Sequence, residues 1–278
     1  MHILAKTSSS GAYEDAVEAA MEAFFDIEPY STYRHLFNVW SVVAVSEDNV
    51  YEEGSSTAFG CRFITGSSVE GNDDKCMEYA GKAVSADRLD ETLVIVVMNS
   101  DSYGGTCYMY PSTEGNYGMG HAVAYIPFNG GGNSFAKLVQ HEAGGHGFAK
   151  LADEYSYYAN GAIPDTEKQR LLQYEKYGWW RNVDFTNDSN TVKWAAFLQD
   201  ERYAGEGLDV YEGAFSYARG VWRSASTSLM RSNSGVFNVP SREAIWCRIH
   251  RLAFGSSWRY DREDFVRYDA VNRVTAGR

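Results

Sequence analysis

The segment that most constrains the fold is residues 92–98, TLVIVVM. Aliphatic and β-branched residues follow one another there without polar alternation, as in a strand that is buried on both faces. Such a strand needs neighbouring strands and covering helices. Residues 12–25 carry apolar side chains at helical spacing, and residues 73–86 form a second candidate helix. The chain up to residue 155 therefore predicts an α/β layer arrangement with a mixed sheet.

The remaining segments of this half fit the same arrangement. Residues 37–45, FNVWSVVAV, are typical of a buried strand, whereas residues 102–120 are dense in Gly, Tyr and Ser and predict a loop. Residues 121–128, HAVAYIPF, predict a strand, and Pro127 favours an edge position because proline cannot donate to a ladder. After a glycine-rich breaker, a helix is predicted from about Phe135.

The second half differs in composition and predicts mostly helical and irregular structure. Helical pieces rich in Tyr and Trp are predicted at 166–180 and 191–198, and a closing helix at 241–254. The change in composition predicts two subdomains, residues 1–155 and 156–278.

Charge and hydropathy restrict the partners of the chain. The 278 residues carry a formal net charge of −12, so the average surface repels phosphate backbones and nucleic acid is not an expected partner. No apolar run is long enough to span a bilayer, and the opening residues MHILAK lack the apolar core of a signal peptide. The Ser-rich stretch at 7–10 suggests a trimmed beginning. No pattern predicts the oligomeric state.

Four cysteines, at positions 61, 76, 107 and 247, include no C-x-x-C pair, so a cysteine zinc site is not expected. Cys61 and Cys76 are close enough in sequence to close a local loop in an oxidising compartment. Buried thiols without a chemical role are an equally good interpretation.

Residues 141–146, HEAGGH, carry the most specific chemistry in the chain. The common pattern H-E-x-x-H places two metal-binding histidines one helical turn apart, with the glutamate as general base. Here His141 and His146 are five residues apart, which on a regular α-helix turns their side chains about 140° away from each other. A π-type turn with i→i+5 hydrogen bonds removes this offset. Gly144 and Gly145 make the distortion sterically easy, so a π-type turn is predicted there.

A third protein ligand has to leave one coordination position open. Asp153 and Glu154 lie seven and eight residues beyond His146, and either carboxylate can return to the metal if the chain turns after the helix. We favour Asp153, with Glu154 as a supporting residue or an alternative ligand. The predicted Zn2+ ligands are thus His141, His146 and Asp153, although imidazole also suits nickel and copper. Glu142 is the predicted catalytic base.

The other histidines have weaker interpretations. His121 is predicted to be structural or to line the rim of the site. His2, His35 and His250 have no partner pattern and are treated as non-functional.

Residues 141–155, HEAGGHGFAKLADEY, resemble the motif of the bacterial IgA-peptidase-type metallopeptidases, approximately H-E-x-G-H-x-F-x-x-L-A-D-E-Y. The matching positions are Gly145, His146, Phe148 and the stretch LADEY. The difference is one additional residue between the glutamate and the second histidine. Outside this motif, Glu28-Pro29 with FNV at 37–39, and SLMR at 228–231 with VPSREA at 239–244, are also similar, so the resemblance covers about residues 12–255.

The resemblance implies a metzincin-like zinc peptidase, with an active-site helix in the first half and a Met-containing turn beneath the metal. Met230 is the candidate for that turn. Residues 1–278 would then form a single metallopeptidase catalytic domain of an exported bacterial hydrolase, with its targeting segment absent from this sequence. The substrate would be a protein or peptide, cleaved by an endopeptidase. The strand at 121–128 is a candidate to pair with an extended substrate.

Three alternatives remain open at this point. Residues 141–146 also fit the H-E-x-x-G-H motif of dipeptidyl peptidases of the third type, but the distant glutamate motif of those longer proteins is not found here. A non-catalytic binding module would use exposed aromatics around Trp179, Trp180 and Trp194 to bind protein or glycan. A structural zinc site would be closed by both Asp153 and Glu154.

Overall fold

The computed structural model describes residues 2–6, 12–112, 120–129 and 131–273, and the chain divides into two compact units, residues 1–148 and 149–278. The boundary falls seven residues before the predicted one. That the chain is one catalytic domain stays a prediction. The Ser-rich stretch at 7–10 and residues 113–119 of the predicted loop lie outside the described residues.

The first unit is built on a mixed sheet. Its strands in chain order are β1 (His2–Lys6), β2 (Ser41–Val45), β3 (Arg62–Thr65), β4 (Ser68–Glu70), β5 (Leu93–Met98), β6 (Thr106–Met109) and β7 (Ala122–Pro127). Among the described residues, five of them form one sheet in the order β2-β1-β5-β7-β6, and β3 pairs with β4 in a separate hairpin. Within that sheet β6 runs antiparallel to β7, and the other described pairs are parallel. Every residue of β5 is buried, so its prediction as a central strand is confirmed.

The helices of this unit follow the predicted order. They are α1 (Ala12–Phe25), α2 (Tyr30–Tyr33), α3 (Asp73–Ala80) and α4 (Gly132–Leu138), and a π-helix over Val139–Phe148 continues α4. The bounds of α1 are those predicted. Helix α3 ends at Ala80, six residues earlier than predicted, and the chain continues in turns in which the amides of Lys82 and Ala83 donate to the carbonyls of Tyr79 and Ala80. Helix α4 begins three residues early, since Gly131 adopts a φ of 74° that positions the chain for the first turn.

Two predictions about the sheet were wrong. The strand at 121–128 is β7, which lies between β5 and β6, and the edge strand β6 lies inside the predicted loop at 102–120. The amides of Ala122 and Phe128 donate to the carbonyls of Thr92 and Met98, on the β5 side of β7. Because successive residues of a strand direct their N–H groups to opposite sides, the N–H group that Pro127 lacks would point away from β5, so proline is tolerated there. On that side Thr106, the first residue of β6, pairs with Tyr125, and position 127 lies beyond the ladder.

Strand β2 also differs from its prediction. It lies at the opposite edge of the sheet, and Val43 and Val45 are 50% and 72% exposed. Consecutive apolar residues thus indicated a strand correctly, but they did not indicate burial.

The second unit contains a sheet that the composition did not predict. Its strands are β8 (Ser156–Ala162), β9 (Val183–Asp184), β10 (Leu208–Ala214) and β11 (Ser216–Ala225). In the described residues, β11 pairs with the other three. The prediction of a mostly helical and irregular second half was therefore wrong in part. The turn from β10 to β11 uses Phe215 and Ser216 at φ values of 50° and 66°, so neither of these two positions is a glycine or proline.

The helices of the second unit are shorter than predicted, except near the end. They are α5 (Asp165–Leu172), α6 (Ala195–Leu198), α7 (Leu229–Ser232), α8 (Val239–Phe254) and α9 (Arg262–Tyr268). The predicted helix at 241–254 is confirmed as α8, but α9 follows it along the chain. Among the described residues, no helix has the length and apolar character needed to cross a bilayer.

The tryptophans proposed as a binding surface are core residues. Trp179, Trp180 and Trp194 are 3%, 6% and 0% exposed. The indole of Trp180 donates to the Leu171 carbonyl at 3.1 Å, and that of Trp194 donates to the Asp209 carbonyl at 2.9 Å. This alternative was wrong for these residues, because indoles buried in the core cannot stack on a ligand.

The cysteines are free thiols in the structure. Burial raises the pKa of Cys61 to about 11 and that of Cys76 to about 12. Both thiols are therefore protonated and unreactive at neutral pH.

Candidate metal centre

The predicted π-type turn is confirmed as a ten-residue π-helix, Val139–Phe148, whose residues are all buried. Its i→i+5 repeat brings His141 and His146 to the same side. Their Nε2 atoms are 3.1 Å apart, and the rings meet nearly at right angles, with centroids 4.8 Å apart. The longer spacing between the histidines is therefore compatible with a shared ligand.

Contacts from α1 and α2 support the π-helix. The Tyr30 hydroxyl donates to the Gly144 carbonyl at 2.6 Å, and Tyr30 is fully buried. The Gln140 amide donates to the Ala23 carbonyl at 3.1 Å. The Tyr30 ring also packs against the Phe148 ring, with centroids 5.5 Å apart. Both ends of the widened helix are thus held by side-chain contacts within the first unit.

Replacing Tyr30 with phenylalanine tests this support. The variant leaves the buried Gly144 carbonyl without its hydroxyl donor, and we expect the free energy of unfolding to fall by about 1–3 kcal/mol. Denaturant unfolding of the metal-free protein measures the change. Tyr158→Phe is the matched control, because Tyr158 is 96% exposed and loses no buried bond. Equal stability of the two variants would contradict the proposed support.

The third candidate ligand, Asp153, follows the helix within the same continuous segment. One ligand atom from each of His141, His146 and Asp153 lies within 4.8 Å of the others, and among the described residues this is the only such group. In a tetrahedral zinc site with bonds of about 2.0 Å, ligand atoms are separated by about 3.3 Å. The distance between the histidine nitrogens is close to this value. Two imidazoles and a carboxylate also form a donor set typical of hydrolytic zinc, so the residues present fit the ion.

Backbone hydrogen bonds within the second unit hold the segment around Asp153. The Asp153 carbonyl accepts from the Phe215 amide at 3.0 Å, and the Tyr155 carbonyl accepts from the Ser216 amide at 3.1 Å. Between them, the Glu154 amide donates to the Met230 carbonyl at 2.8 Å. The turn that joins β10 to β11 therefore sets the backbone position of Asp153.

The neighbouring carboxylate, Glu154, is fully buried and hydrogen-bonded at both oxygens. Its Oε1 accepts from the amides of Asn182 and Asn238, each at 2.8 Å. Its Oε2 accepts from the Ser228 hydroxyl at 2.6 Å and from Asn238 at 2.9 Å. Burial raises the pKa of Glu154, and these three donors oppose that effect. The Glu154 carboxylate is thus part of this hydrogen-bond network and does not belong to the group of candidate ligands.

The three donors to Glu154 were missed as functional residues. Ser228 lies in the SLMR stretch that resembles the family, but only Met230 was selected there. Nothing in the sequence around Asn182 or Asn238 indicates a carboxylate partner. Met230 itself is fully buried, and its carbonyl is the acceptor for Glu154.

A Glu154→Gln substitution should weaken the centre without altering a candidate ligand. Both carboxylate oxygens of Glu154 accept hydrogen bonds from N–H or O–H donors. In glutamine an NH2 group replaces one of these oxygens, and it would face a donor from which it cannot accept. We expect the free energy of unfolding to fall by about 1–3 kcal/mol and metal affinity by about 10- to 100-fold. Unfolding and competitive metal titration measure the two effects. The control is Glu167→Gln, which removes an exposed ion pair with Arg170. Unchanged metal affinity in Glu154→Gln would contradict the supporting role.

The remaining histidines lie outside the candidate group. The His121 ring stacks on the Tyr110 ring, with centroids 4.6 Å apart, and His250 contacts the Trp246 carbonyl through Nδ1 at 2.8 Å. His35 is exposed. The side chain of His2 is not among those described.

A mixed α/β unit with two histidines and a glutamate on a buried helix is the kind of site found in metallopeptidases. Residues 6–204 match the model of the family described as IgA Peptidase M64. The chain therefore belongs to the IgA peptidase M64 family, as its resemblance predicted, and this family identifies it as a peptidase. A search of curated proteins found no match.

Proposed function

We propose that the protein is a zinc-dependent endopeptidase, with His141, His146 and Asp153 as zinc ligands and Glu142 as general base. The observation that carries the proposal is the 3.1 Å separation of the two histidine nitrogens on a helix that also bears Glu142. Membership of a peptidase family supports the same reaction.

The chemistry divides between the ion and the protein. When bound, zinc acts as a Lewis acid that lowers the pKa of a water molecule to about 7 and polarises the scissile carbonyl. Glu142 accepts the proton of the attacking water and delivers it to the nitrogen of the leaving amine. Glu142 is 8% exposed, so little bulk water competes for its carboxylate.

The edge strand β6 is the better candidate to pair with an extended substrate. It contacts the π-helix closely: a Cβ built on Gly147 would lie 3.3 Å from the Cys107 sulfur. A peptide could add to this edge beyond Gly105, whose amide already donates to the Ser67 carbonyl. The predicted pairing strand, β7, is excluded because both of its edges are already paired.

The proposal extends to Met230 as the Met-containing turn of a metzincin-like peptidase. Its support is that Met230 is fully buried and bonds through its carbonyl to the residue after Asp153. A structural zinc site closed by two carboxylates has less support, because hydrogen bonds occupy both oxygens of Glu154. Export by a bacterium remains a proposal that rests on the family resemblance.

Metal analysis combined with a proteolysis assay tests the proposal. We expect about one zinc per chain by mass spectrometry, and cleavage of a labelled, unfolded protein that a chelator abolishes and added zinc restores. Bound zinc without cleavage of any protein would favour a structural site. Absence of metal even after zinc is added back would favour a binding module. Cleavage that survives complete removal of metal would exclude the mechanism.

A further inference from the structure

The Glu142 side chain lies directly against the backbone of Gly105, the residue before β6. A Cβ atom built on Gly105 would be 2.9 Å from Glu142 Cγ, 3.3 Å from its Oε1 and 3.4 Å from its Cδ. All three close atoms belong to this one side chain. A methyl group at position 105 therefore cannot be accommodated unless Glu142 moves.

The β3–β4 hairpin holds Gly105 in this position. The Gly105 amide donates to the Ser67 carbonyl at 3.0 Å. The Thr106 hydroxyl donates to the Gly105 carbonyl at 2.8 Å and accepts from the Val69 amide at 2.9 Å. Gly104 permits the close approach, since a Cβ there would lie 2.4 Å from the Ser67 carbonyl oxygen. The Gly105 amide is thus bonded directly to the hairpin. The Gly105 carbonyl is bonded to Thr106, which is itself bonded to the hairpin.

We propose that Gly105 is a positioning residue for the general base, and that the β3–β4 hairpin acts through it to fix the Glu142 carboxylate. The catalytic part of this inference rests on the proposed function, whereas the contact itself does not. Because Glu142 is the group that moves the proton, its displacement by less than about 1 Å changes the rate of the chemical step. In this proposal the contact serves proton transfer, and neither Gly105 nor Glu142 is a candidate zinc ligand.

The direct test is Gly105→Ala beside Gly81→Ala. A Cβ at Gly81 meets its neighbours at 3.4 Å or more, so the same change is tolerated there. We expect Gly105→Ala to lower kcat by up to about 100-fold, with KM and zinc content nearly unchanged, and Gly81→Ala to retain activity. A kcat for Gly105→Ala within about twofold of wild type would overturn the proposal. A loss confined to KM or to zinc content would overturn it as well.

A double-mutant cycle with Glu142→Ala tests the contact without relying on activity. Truncation of Glu142 removes the three atoms that the new methyl group at position 105 would meet. Gly105→Ala should lower the Tm by about 2–4 °C or more in the wild-type background, and by less than about half as much beside Glu142→Ala. Equal shifts in the two backgrounds would refute the contact. If Glu142→Ala retained full proteolysis, the proposed function would fail, and the Tm cycle would still decide about Gly105.

The isosteric variant Thr106→Val examines the link to the hairpin. It removes the hydroxyl that joins Gly105 to Val69, while β6 keeps its backbone pairing with β7. We expect a smaller loss of kcat than with Gly105→Ala and an unchanged KM. Wild-type kcat in Thr106→Val would remove the Thr106 hydroxyl from the proposal and leave the Gly105–Ser67 bond as the contact through which the hairpin acts.

Discussion

Replacement of Glu142 by glutamine is expected to lower kcat by about 10²- to 10⁴-fold, because the amide cannot accept the proton of the attacking water. Glutamine has nearly the same shape as glutamate, so it can occupy the same space against Gly105. The variant should therefore bind zinc as well as the wild type does. Steady-state kinetics on a labelled protein substrate and metal analysis of the same preparation measure the two quantities.

The control for this variant is Glu18→Gln, an exposed position on α1. It makes the same chemical change without touching the candidate centre, and its kcat should equal that of the wild type. Activity of Glu142→Gln within about tenfold of wild type would mean that another group serves as the base. Loss of zinc together with activity would instead assign Glu142 a role in holding the metal.

The second large effect is expected from His146→Ala. This variant removes one of three candidate ligands and leaves a space that water fills. Loss of a residue that only hydrogen-bonds to a metal ligand typically lowers metal affinity by roughly 10- to 100-fold. We expect a larger fall in zinc affinity here, and loss of zinc during purification. Proteolysis should disappear with it. Metal content by mass spectrometry and affinity by competition with a chromophoric chelator provide the measurements.

His35→Ala is the matched control, because His35 is exposed and lies outside the candidate group. It should keep about one zinc per chain. Retention of that zinc by His146→Ala would show that the pair of histidines does not share an ion. The His141→Ala variant should behave as His146→Ala does, since both nitrogens are required on the same side of the π-helix.

The candidate centre could be predicted best, because its candidate ligands and its candidate base lie within one short segment of the sequence. His141 and His146 are separated by a fixed number of residues, and only a π-type turn lets that number bring them together. The glycines between them make this turn possible. The prediction of Asp153 as a ligand used the same short segment, and the structure brings these three residues together.

Pairing between distant segments could not be predicted in the same way. Pro127 favoured an edge position for β7, but the position of the edge depends on where β6 begins and on its register with β7. The hairpin of β10 and β11 turns through Phe215 and Ser216 at positive φ, a conformation that is uncommon for residues other than glycine. In both cases the pairing of the strands decided the structure, and the conformational preferences of the local residues did not.

The sequence by itself determined the central strand β5, helix α1, the π-turn and the identity of the candidate ligands, because each depends on residues within one or two turns of chain. Only the tertiary structure decided what surrounds the site. Glu154 binds Asn182 and Asn238, which are 28 and 84 residues away, and Glu142 lies against Gly105. Contacts at such separations leave no periodic pattern, since they depend on how whole elements pack and not on the order of neighbouring residues.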